Sequence, residues 1–485
     1  MSSRRYEVVA MSDVDVDTPA YEVAIIGAGV VGCAIARQLA RYELSVIVLE
    51  RSNDVGNGTS KANTAILHTG FDCVPGSLES SLVRRGYELL GAYADEAGIA
   101  VERTGGLLVA WDEEQSEALP GLQEKASKNG YHETRILSAE VVLRRETNLG
   151  EGVHGGLEVP GESVICPWST VLAFAREAAS ADVTFAFNSE VIGVVFSEDG
   201  QRLTTPQGDV RSRWLINAAG LFSGQVDGLC DHDDFKVTPR RGELIVFDKL
   251  SRGLISSIIL PVPTSRTKGV LVAPTVYGNL LLGPTADDID DPFATATTEQ
   301  GIARLLDAGR KVLPRLLDEQ VTALYAGLRA ATNHQDYQIR SHPDQSYVCV
   351  GGIRSTGLTA SMAIAEYVVA LLESVGLELT ERSPLPKIPN MSPLGENQLR
   401  RYEDRDAIAV DAEYGSIICH CERVTRGEIR DACIGDLPAR EIGALRRRTR
   451  AMNGRCQGFY CAAEVVALLA ELSAVTPAAL TGLTE

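Results

Sequence analysis

The chain has 485 residues, 45% of them hydrophobic, with 46 Lys and Arg against 65 Asp and Glu and a formal net charge of −19. Such a length points to several domains, and the apolar share suffices to bury a sizeable core. The acidic balance argues against nucleic acid as the main partner, because phosphate binding needs clustered positive charge.

Residues 1–20 carry two arginines, then turn acidic and hold no apolar segment, so they read as a flexible leader and not as a secretory signal. No uninterrupted apolar run reaches the roughly 18 residues of a membrane helix. The first ordered unit follows. Val23 to Ile26 is an apolar run of strand type, Gly27, Gly29 and Gly32 punctuate a turn, and Ala34, Ile35 and Leu39 continue at helical spacing. A second apolar run, Ser45 to Leu49, ends on Glu50. This is a β-α-β unit with a G-x-G-x-x-G turn and an acid roughly 20 residues on, the layout of a dinucleotide site. Gly27 permits the tight turn, Gly29 lets backbone approach a pyrophosphate, and Gly32 lets helix lie on strand. The helix N-terminus attracts phosphate, and Glu50 can accept from ribose hydroxyls. The turn alone leaves FAD and NAD both open.

Asn57-Gly-Thr59-Ser60-Lys-Ala-Asn63-Thr64-Ala-Ile-Leu-His68-Thr-Gly-Phe-Asp72 is rich in small and hydroxyl-bearing residues, which suit a loop lying against a flat cofactor. From Gly27 through Leu78 the chain resembles FAD enzymes of the D-amino-acid-oxidase type. More narrowly it is similar to the anaerobic-type glycerol-3-phosphate dehydrogenase catalytic subunit and to 2-hydroxyglutarate oxidases. The resemblance implies that Thr59, Ser60, Asn63 and Thr64 contact flavin or pyrophosphate and that His68 sits near the ring. By itself His68 reads as a packed loop histidine.

Further on, Leu82 to Ala97 reads as a helix, Gly105 to Trp111 as a strand, Asp112 to about Leu137 as a polar helix, and Ser138 to Leu143 as the start of another. Cys166-Pro-Trp168 precedes a helical run, Ser169 to Ala179. Short β runs at Val183–Phe187, Val191–Phe196 and Trp214–Ile216 lead into Asn217-Ala-Ala219-Gly220, a second small-residue turn that permits close backbone approach. Val237 to Pro284 is strand-rich and carries Arg240 and Arg241, either of which can reach an anion or sit solvated at a strand start. Thr298 to Leu317 is an amphipathic helix pattern.

Tyr325-Ala-Gly-Leu-Arg329-Ala-Ala is similar to the element that meets the substrate's phosphate or carboxylate in the resembled enzymes, with Ala330 where proline is usual. A planar guanidinium that keeps its proton suits either anion. His334 follows on a presumed loop as a second candidate acid/base. A third glycine-rich turn, Gly351-Gly352-Ile-Arg354-Ser-Thr-Gly357-Leu358-Thr359, starts a helix. In the resembled enzymes such donors face the flavin's pyrimidine edge, which places Gly352, Gly357, Leu358 and Thr359 among cofactor contacts. A cation at Arg354 favours a polyol phosphate over 2-hydroxyglutarate. Pro384, Pro386, Pro389 and Pro393 mark an extended linker.

Of the ten cysteines, Cys33, Cys73, Cys166, Cys230 and Cys349 read as buried small hydrophobes. Cys419-His-Cys421-Glu-Arg-Val-Thr425 and Arg455-Cys456-Gln-Gly-Phe-Tyr-Cys461 give C-x-C, 34 intervening residues and C-x4-C. Four thiolates in two close pairs can hold zinc or an iron–sulfur cluster. The segment resembles the bacterioferritin-associated-ferredoxin-like 2Fe–2S domain, which implies the cluster, with zinc as the alternative. Arg423, Arg446, Arg447, Arg448, Arg450 and Arg455 surround it; they lower the cost of an anionic cluster, or form a solvated face or a patch for an acidic partner. Cys433 lacks paired spacing and reads as packed.

The expected architecture is therefore α/β (α+β): a Rossmann-like FAD-binding domain with an antiparallel-sheet substrate domain, plus a small helical C-terminal cluster domain. Residues 21–380 form the oxidoreductase, with FAD-binding portions at about 21–100, 165–235 and 322–380 and substrate portions at about 101–164 and 236–321. A linker covers 381–405, and the cluster domain 406–485. The resemblance implies a cytoplasmic FAD-dependent dehydrogenase, with peripheral contact at the inner membrane face among its settings, that takes hydride from a small anionic alcohol. The expected substrate is sn-glycerol 3-phosphate, with catalytic residues drawn from His68, His334, Arg329 and Arg354. Electrons leave through the cluster to a quinone-linked or redox partner protein. The alternatives are a 2-hydroxy-acid or amino-acid/opine dehydrogenase or oxidase, and a flavin/iron–sulfur electron-transfer or sensor module.

Overall fold

The computed structural model describes residues 21–263 and 269–481; the expected leader lies outside them, as do 264–268 of the expected substrate portion and the last four residues. The strand Tyr21–Ile26 sends alternate side chains to opposite faces. Val23 and Ile25 enter one core with Val30–Leu39, Leu78–Ala97, Pro167–Ala179 and Gly357–Ser374, while Ala24 and Ile26 enter a second under Ser223–Leu229. Both faces are covered, which is what a parallel sheet of continuous apolar runs requires. The parallel core runs in the order Thr184–Ala186, Val46–Leu49, Tyr21–Ile26, Gly208–Asn217, Tyr347–Gly351, within an eight-stranded mixed sheet.

A nine-stranded, mainly antiparallel sheet forms the second layer. Gly106–Ala110 and Gly155–Val159 join Val237–Phe247, Leu271–Pro274 and Leu280–Gly283 in it, so segments far apart in sequence make one unit. Val321–Thr332, grouped by sequence with the FAD-binding portion, pairs along its length with Val237–Phe247. The strand runs unbroken through Ala330, so the missing proline disturbs no turn.

The polar helix expected over 112–137 ends early. It spans Glu113–Lys128 and stops at Asn129 and Gly130, whose φ of +79° lies in the left-handed region. Arg135–Ser138 then forms an edge strand, and Ser138 caps Ala139–Arg145. Gly357–Ser374 is long and apolar enough to cross a membrane, but 61% of it is buried, against Val30–Leu39 and Leu78–Ala97.

The proline-rich segment is extended, as proline demands, yet it is a strap and not a free tether. Backbone bonds tie it to residues 41–43, 97 and 276, and Met391 and Leu394 are buried. It delivers the chain to a small C-terminal unit: a hairpin of Ile417–Cys419 and Val424–Thr425, then the helices Arg426–Ala432, Ile442–Thr449 and Ala462–Ser473. Thr425 and Glu428 form a capping box at the first of these helices. The unit has its own core, built on Val424, Ile429, Leu445, Val465 and Leu469, in which Cys433 is packed. The other five scattered cysteines are buried as well.

Candidate functional site

The first glycine turn is a close backbone contact. A Cβ on Gly32 would lie 1.9 Å from the Gly27 carbonyl oxygen, and one on Gly27 would lie 2.7 Å from that of Ala218. The first turn therefore rests directly on the second, Ala218–Gly220. Val30 N–H, an orphan donor of the helix N-terminus, donates to Ser60 Oγ at 3.0 Å, which marks where a phosphate oxygen can be received. Glu50 accepts from Ala28 N–H at 2.7 Å and Ser52 N–H at 2.8 Å, fixing its carboxylate at the end of the second strand.

These groups open onto one cavity of about 900 Å³. Gly27, Gly29, Glu50, Thr59, Ser60, Asn63, Ala219 and Gly220 all line it, so eight of the expected cofactor contacts converge. Its far wall is Tyr325–Leu328. Tyr325 OH donates to the Asn63 carbonyl and Thr59 Oγ1 to the Leu328 carbonyl, both at 2.7 Å. Gly327 has to be glycine there, since a Cβ would lie 2.0 Å from the Ala62 carbonyl oxygen. A cradle of this size, with an N-terminal helix donor at one point and a carboxylate at another, fits a dinucleotide.

Thr64, Gly352, Gly357, Leu358, Thr359 and the four candidate catalytic residues lie outside that lining. His68 N–H donates to Thr359 Oγ1 at 3.0 Å, joining the loop to the third turn. His68 Nδ1 lies 3.0 Å from Glu162 Oε2, and Glu162, with no exposed surface, also accepts from Thr69 N–H and Oγ1. An Nδ1–H bond to a carboxylate sets the tautomer that leaves Nε2 basic. Sequence reasoning missed Glu162, because nothing near it in the chain marks a partner 94 residues away.

Arg329 is partly buried, and its described partner is the Thr285 carbonyl, 2.6 Å from Nη2. Burial, and the charge of Arg240 directly across the strand pair, lower its proton affinity. Arg240 itself is held by Asp288. Arg354 is committed to Glu79 at 2.9 Å and to the Gln335 carbonyl, and Glu79 also binds Thr356. His334 sits apart, its Nε2 3.2 Å from the Asp234 carbonyl.

In the C-terminal unit the four cysteines converge. Cys421 lies beside Cys456, and Cys419 beside Cys461. Backbone N–H groups of Tyr460, Gly458 and Phe459 point at Cys456 Sγ and lower its pKa, whereas burial raises Cys421, and raises Cys461 to about 12. Positive φ at Arg423, Met452 and Gln457 bends the loops around the sulfurs. Four converging sulfurs, with N–H donors aimed at that of Cys456, fit an iron–sulfur cluster.

The arginines of this unit meet acids of the same chain. Arg448 takes both oxygens of Asp54 at 2.7 and 2.8 Å, and Arg447 takes one at 2.5 Å. Arg455 pairs with Asp248 at 2.6 Å. Arg446, Arg447, Arg450, Asn453 and Gln457 thereby join the wall of the dinucleotide cavity.

Comparison with known proteins agrees with both parts. Residues 22–371 match the FAD dependent oxidoreductase family, and residues 417–471 match the BFD-like 2Fe–2S binding domain. A glycerol 3-phosphate dehydrogenase of Caloramator mitchellensis is 35% identical over 93% of this chain and 94% of its own length. An anaerobic glycerol-3-phosphate dehydrogenase subunit A1 of Haloferax volcanii is 24% identical over 90% of this chain and 81% of its own. Among solved structures, dithionite-reduced L-alpha-glycerophosphate oxidase of Mycoplasma pneumoniae with FAD bound superposes with a TM-score of 0.72. It has 30% identity and covers 76% of this chain and 98% of that one.

Proposed function

Because the chain belongs to the FAD dependent oxidoreductase family and ends in a BFD-like 2Fe–2S domain, we propose that it oxidises sn-glycerol 3-phosphate to dihydroxyacetone phosphate. The observation that carries this reading is the 35% identity to a glycerol 3-phosphate dehydrogenase across both parts of the chain. FAD supplies the hydride acceptor, and the cluster takes electrons singly for delivery to a one-electron or quinone-linked acceptor.

The protein's own task is to hold the alcohol and move its proton. Arg329 receives the phosphate: it is desolvated, with Arg240 across the strand pair and Asp287 and Asp288 near, and its described bond is to one carbonyl, so further N–H groups of its fork can meet an anion. His68, fixed by Glu162 through Nδ1, takes the hydroxyl proton at Nε2. Thr359 fixes the backbone of His68 against the third glycine turn. Arg354 serves that turn through Glu79 and does not meet the substrate; His334, spent on a carbonyl, has no part in the proton transfer.

Anaerobic addition of glycerol 3-phosphate to the purified protein should bleach its flavin absorbance, whereas 2-hydroxyglutarate and proline should not. Bleaching by either of the latter, with none by glycerol 3-phosphate, would transfer the reading to a hydroxy-acid or amino-acid enzyme.

A further inference from the structure

The C-terminal unit places one side chain between the two redox sites. Arg450 ends the helix Ile442–Thr449 with a φ of +68° and is 5% exposed. Its Nε donates to Glu422 Oε2 at 2.8 Å. Glu422 directly follows Cys421 in the chain, is 1% exposed, and is met by Lys249 Nζ at 3.1 Å. The guanidinium carbon of Arg450 lies 3.9 Å from the ring centroid of Tyr277 and 5.9 Å from that of Trp168. Those two rings are stacked on each other, 5.3 Å apart and 22° from parallel.

Both rings are anchored in the cofactor cavity. Trp168 Nε1 donates to the Lys61 carbonyl at 3.1 Å, within the loop that carries Ser60 and Asn63, and Tyr277 OH is 3.0 Å from Cys166 Sγ. Trp168, Tyr277 and Arg450 all line the cavity. A continuous line of packed groups thus leads from the cofactor loop, through two aromatic rings and a cation, to the carboxylate beside a cluster ligand. A charged group is costly to bury unless it is paired, and Arg450 is paired at both ends, to a carboxylate and to an aromatic face.

We propose that Arg450 is the positioning residue that couples flavin to cluster, by locking the cluster loop against the Tyr277–Trp168 stack. This rests on the cofactor assignment and alcohol oxidation proposed above. Oxidation of the alcohol releases one hydroxyl proton and one hydride. With FAD and the cluster bound, the hydride would go to the flavin, its two electrons would pass on to the cluster one at a time, and its proton would leave to water. An external one-electron acceptor reoxidises the cluster between the two transfers. Electron transfer slows steeply with separation, so loosening the Arg450 contact slows that step without removing either cofactor.

The test uses the holoenzyme with FAD, iron and sulfide measured on each preparation. Flavin is reduced anaerobically, by glycerol 3-phosphate in one series and by photoreduction in another. Flavin bleaching is followed by absorbance and cluster reduction by rapid-freeze EPR. The readout is the ratio of the two rates. Arg450→Gln should lower cluster reduction relative to flavin bleaching by about tenfold or more, as loss of a desolvated cation–aromatic contact and a buried pair requires. Arg450→Lys should restore part of it. Tyr277→Leu, which breaks the contact from the other side without touching the cluster unit, should give the same lag, and it decides the matter if Arg450→Gln loses its cluster. An unchanged ratio in cofactor-replete variants would overturn the proposal. If glycerol 3-phosphate fails to bleach the wild type while photoreduced flavin still feeds the cluster faster than in the variants, the substrate assignment falls and the coupling stands.

Discussion

Glu162 offers the sharpest test of how the site handles the substrate's proton. It has no exposed surface and accepts from Thr69 N–H at 2.7 Å, Thr69 Oγ1 at 2.9 Å and His68 Nδ1 at 3.0 Å. Glu162→Gln preserves size and keeps one oxygen for Thr69. Its amide nitrogen then faces His68 Nδ1 and can only donate, so the imidazole must carry its proton on Nε2, where the proposed base lone pair belongs. Bonds to a charged acceptor are each worth about 1 kcal/mol more than neutral ones, so three such bonds cost about 3 kcal/mol of stability. That lowers Tm by several degrees and leaves the protein folded. Loss of the base should slow flavin bleaching at saturating glycerol 3-phosphate by about 10²- to 10⁴-fold, with KM little altered. Anaerobic stopped-flow absorbance measures both. A variant that holds its flavin and bleaches at the wild-type rate would refute the role given to His68.

Arg329→Ala should lower kcat/KM for glycerol 3-phosphate by about 2–5 kcal/mol in transition-state terms, chiefly through KM, and Arg329→Lys should recover only part because it lacks the planar fork; steady-state kinetics decide. Gly32→Ala puts a methyl 1.9 Å from the Gly27 carbonyl oxygen, so the purified protein should lose FAD while keeping its iron, read from cofactor content. For Asp54, desolvation raises the carboxyl's proton affinity, but the hydrogen bond and charge of Arg448, with Arg447, win and hold it below the ordinary range. A depressed carboxylate contributes fully above the free pKa of about 3.9 and loses its contribution as pH falls through the lower docked value. Asp54→Asn should therefore expose the strap at 381–405 to limited proteolysis at neutral pH, as the wild type does only in acid.

What could be read from sequence is what local physics dictates. Gly27, Gly29 and Gly32 are spaced by the turn itself, and Ser60 and Asn63 follow within one loop, so the cavity's near wall was legible. The paired spacing of Cys419, Cys421, Cys456 and Cys461 was legible for the same reason. The third turn, expected at the flavin's pyrimidine edge, meets His68 through Thr359 and lies outside the cavity lining, because which side of a loop faces a void depends on segments far away in the chain. Glu162 stands in a plain Gly-Glu-Ser run and meets His68 only because Ile66–Leu67 pairs antiparallel with Ser163–Ile165. The polar helix was drawn too long because Arg135–Ser138 is an edge strand with mostly exposed side chains, whose polarity mimics a solvated helix. The arginines near the cluster were the largest gap. Charge runs usually face water, and Arg448 finds its acid 394 positions away.

That ionic docking bears on what the C-terminal unit is for. The unit has an apolar core of its own, and only a small part of it, Leu437, enters the main core of the flavin portion, so the two parts share little hydrophobic interior. They are joined by Asp54 with Arg447 and Arg448, Asp248 with Arg455, and Glu422 with Lys249. The Asp54–Arg448 pair is buried on both sides; such a pair adds little net stability, because desolvation offsets its attraction, but breaking it costs about 3–5 kcal/mol. Together the pairs therefore penalise every orientation except the one that satisfies all of them. Apolar contact would tolerate sliding, and sliding would carry Arg450 off the Tyr277 ring. In an acidic chain, arginines confined to one face and matched to buried acids select a single docked register, which is what transfer between two fixed redox sites requires.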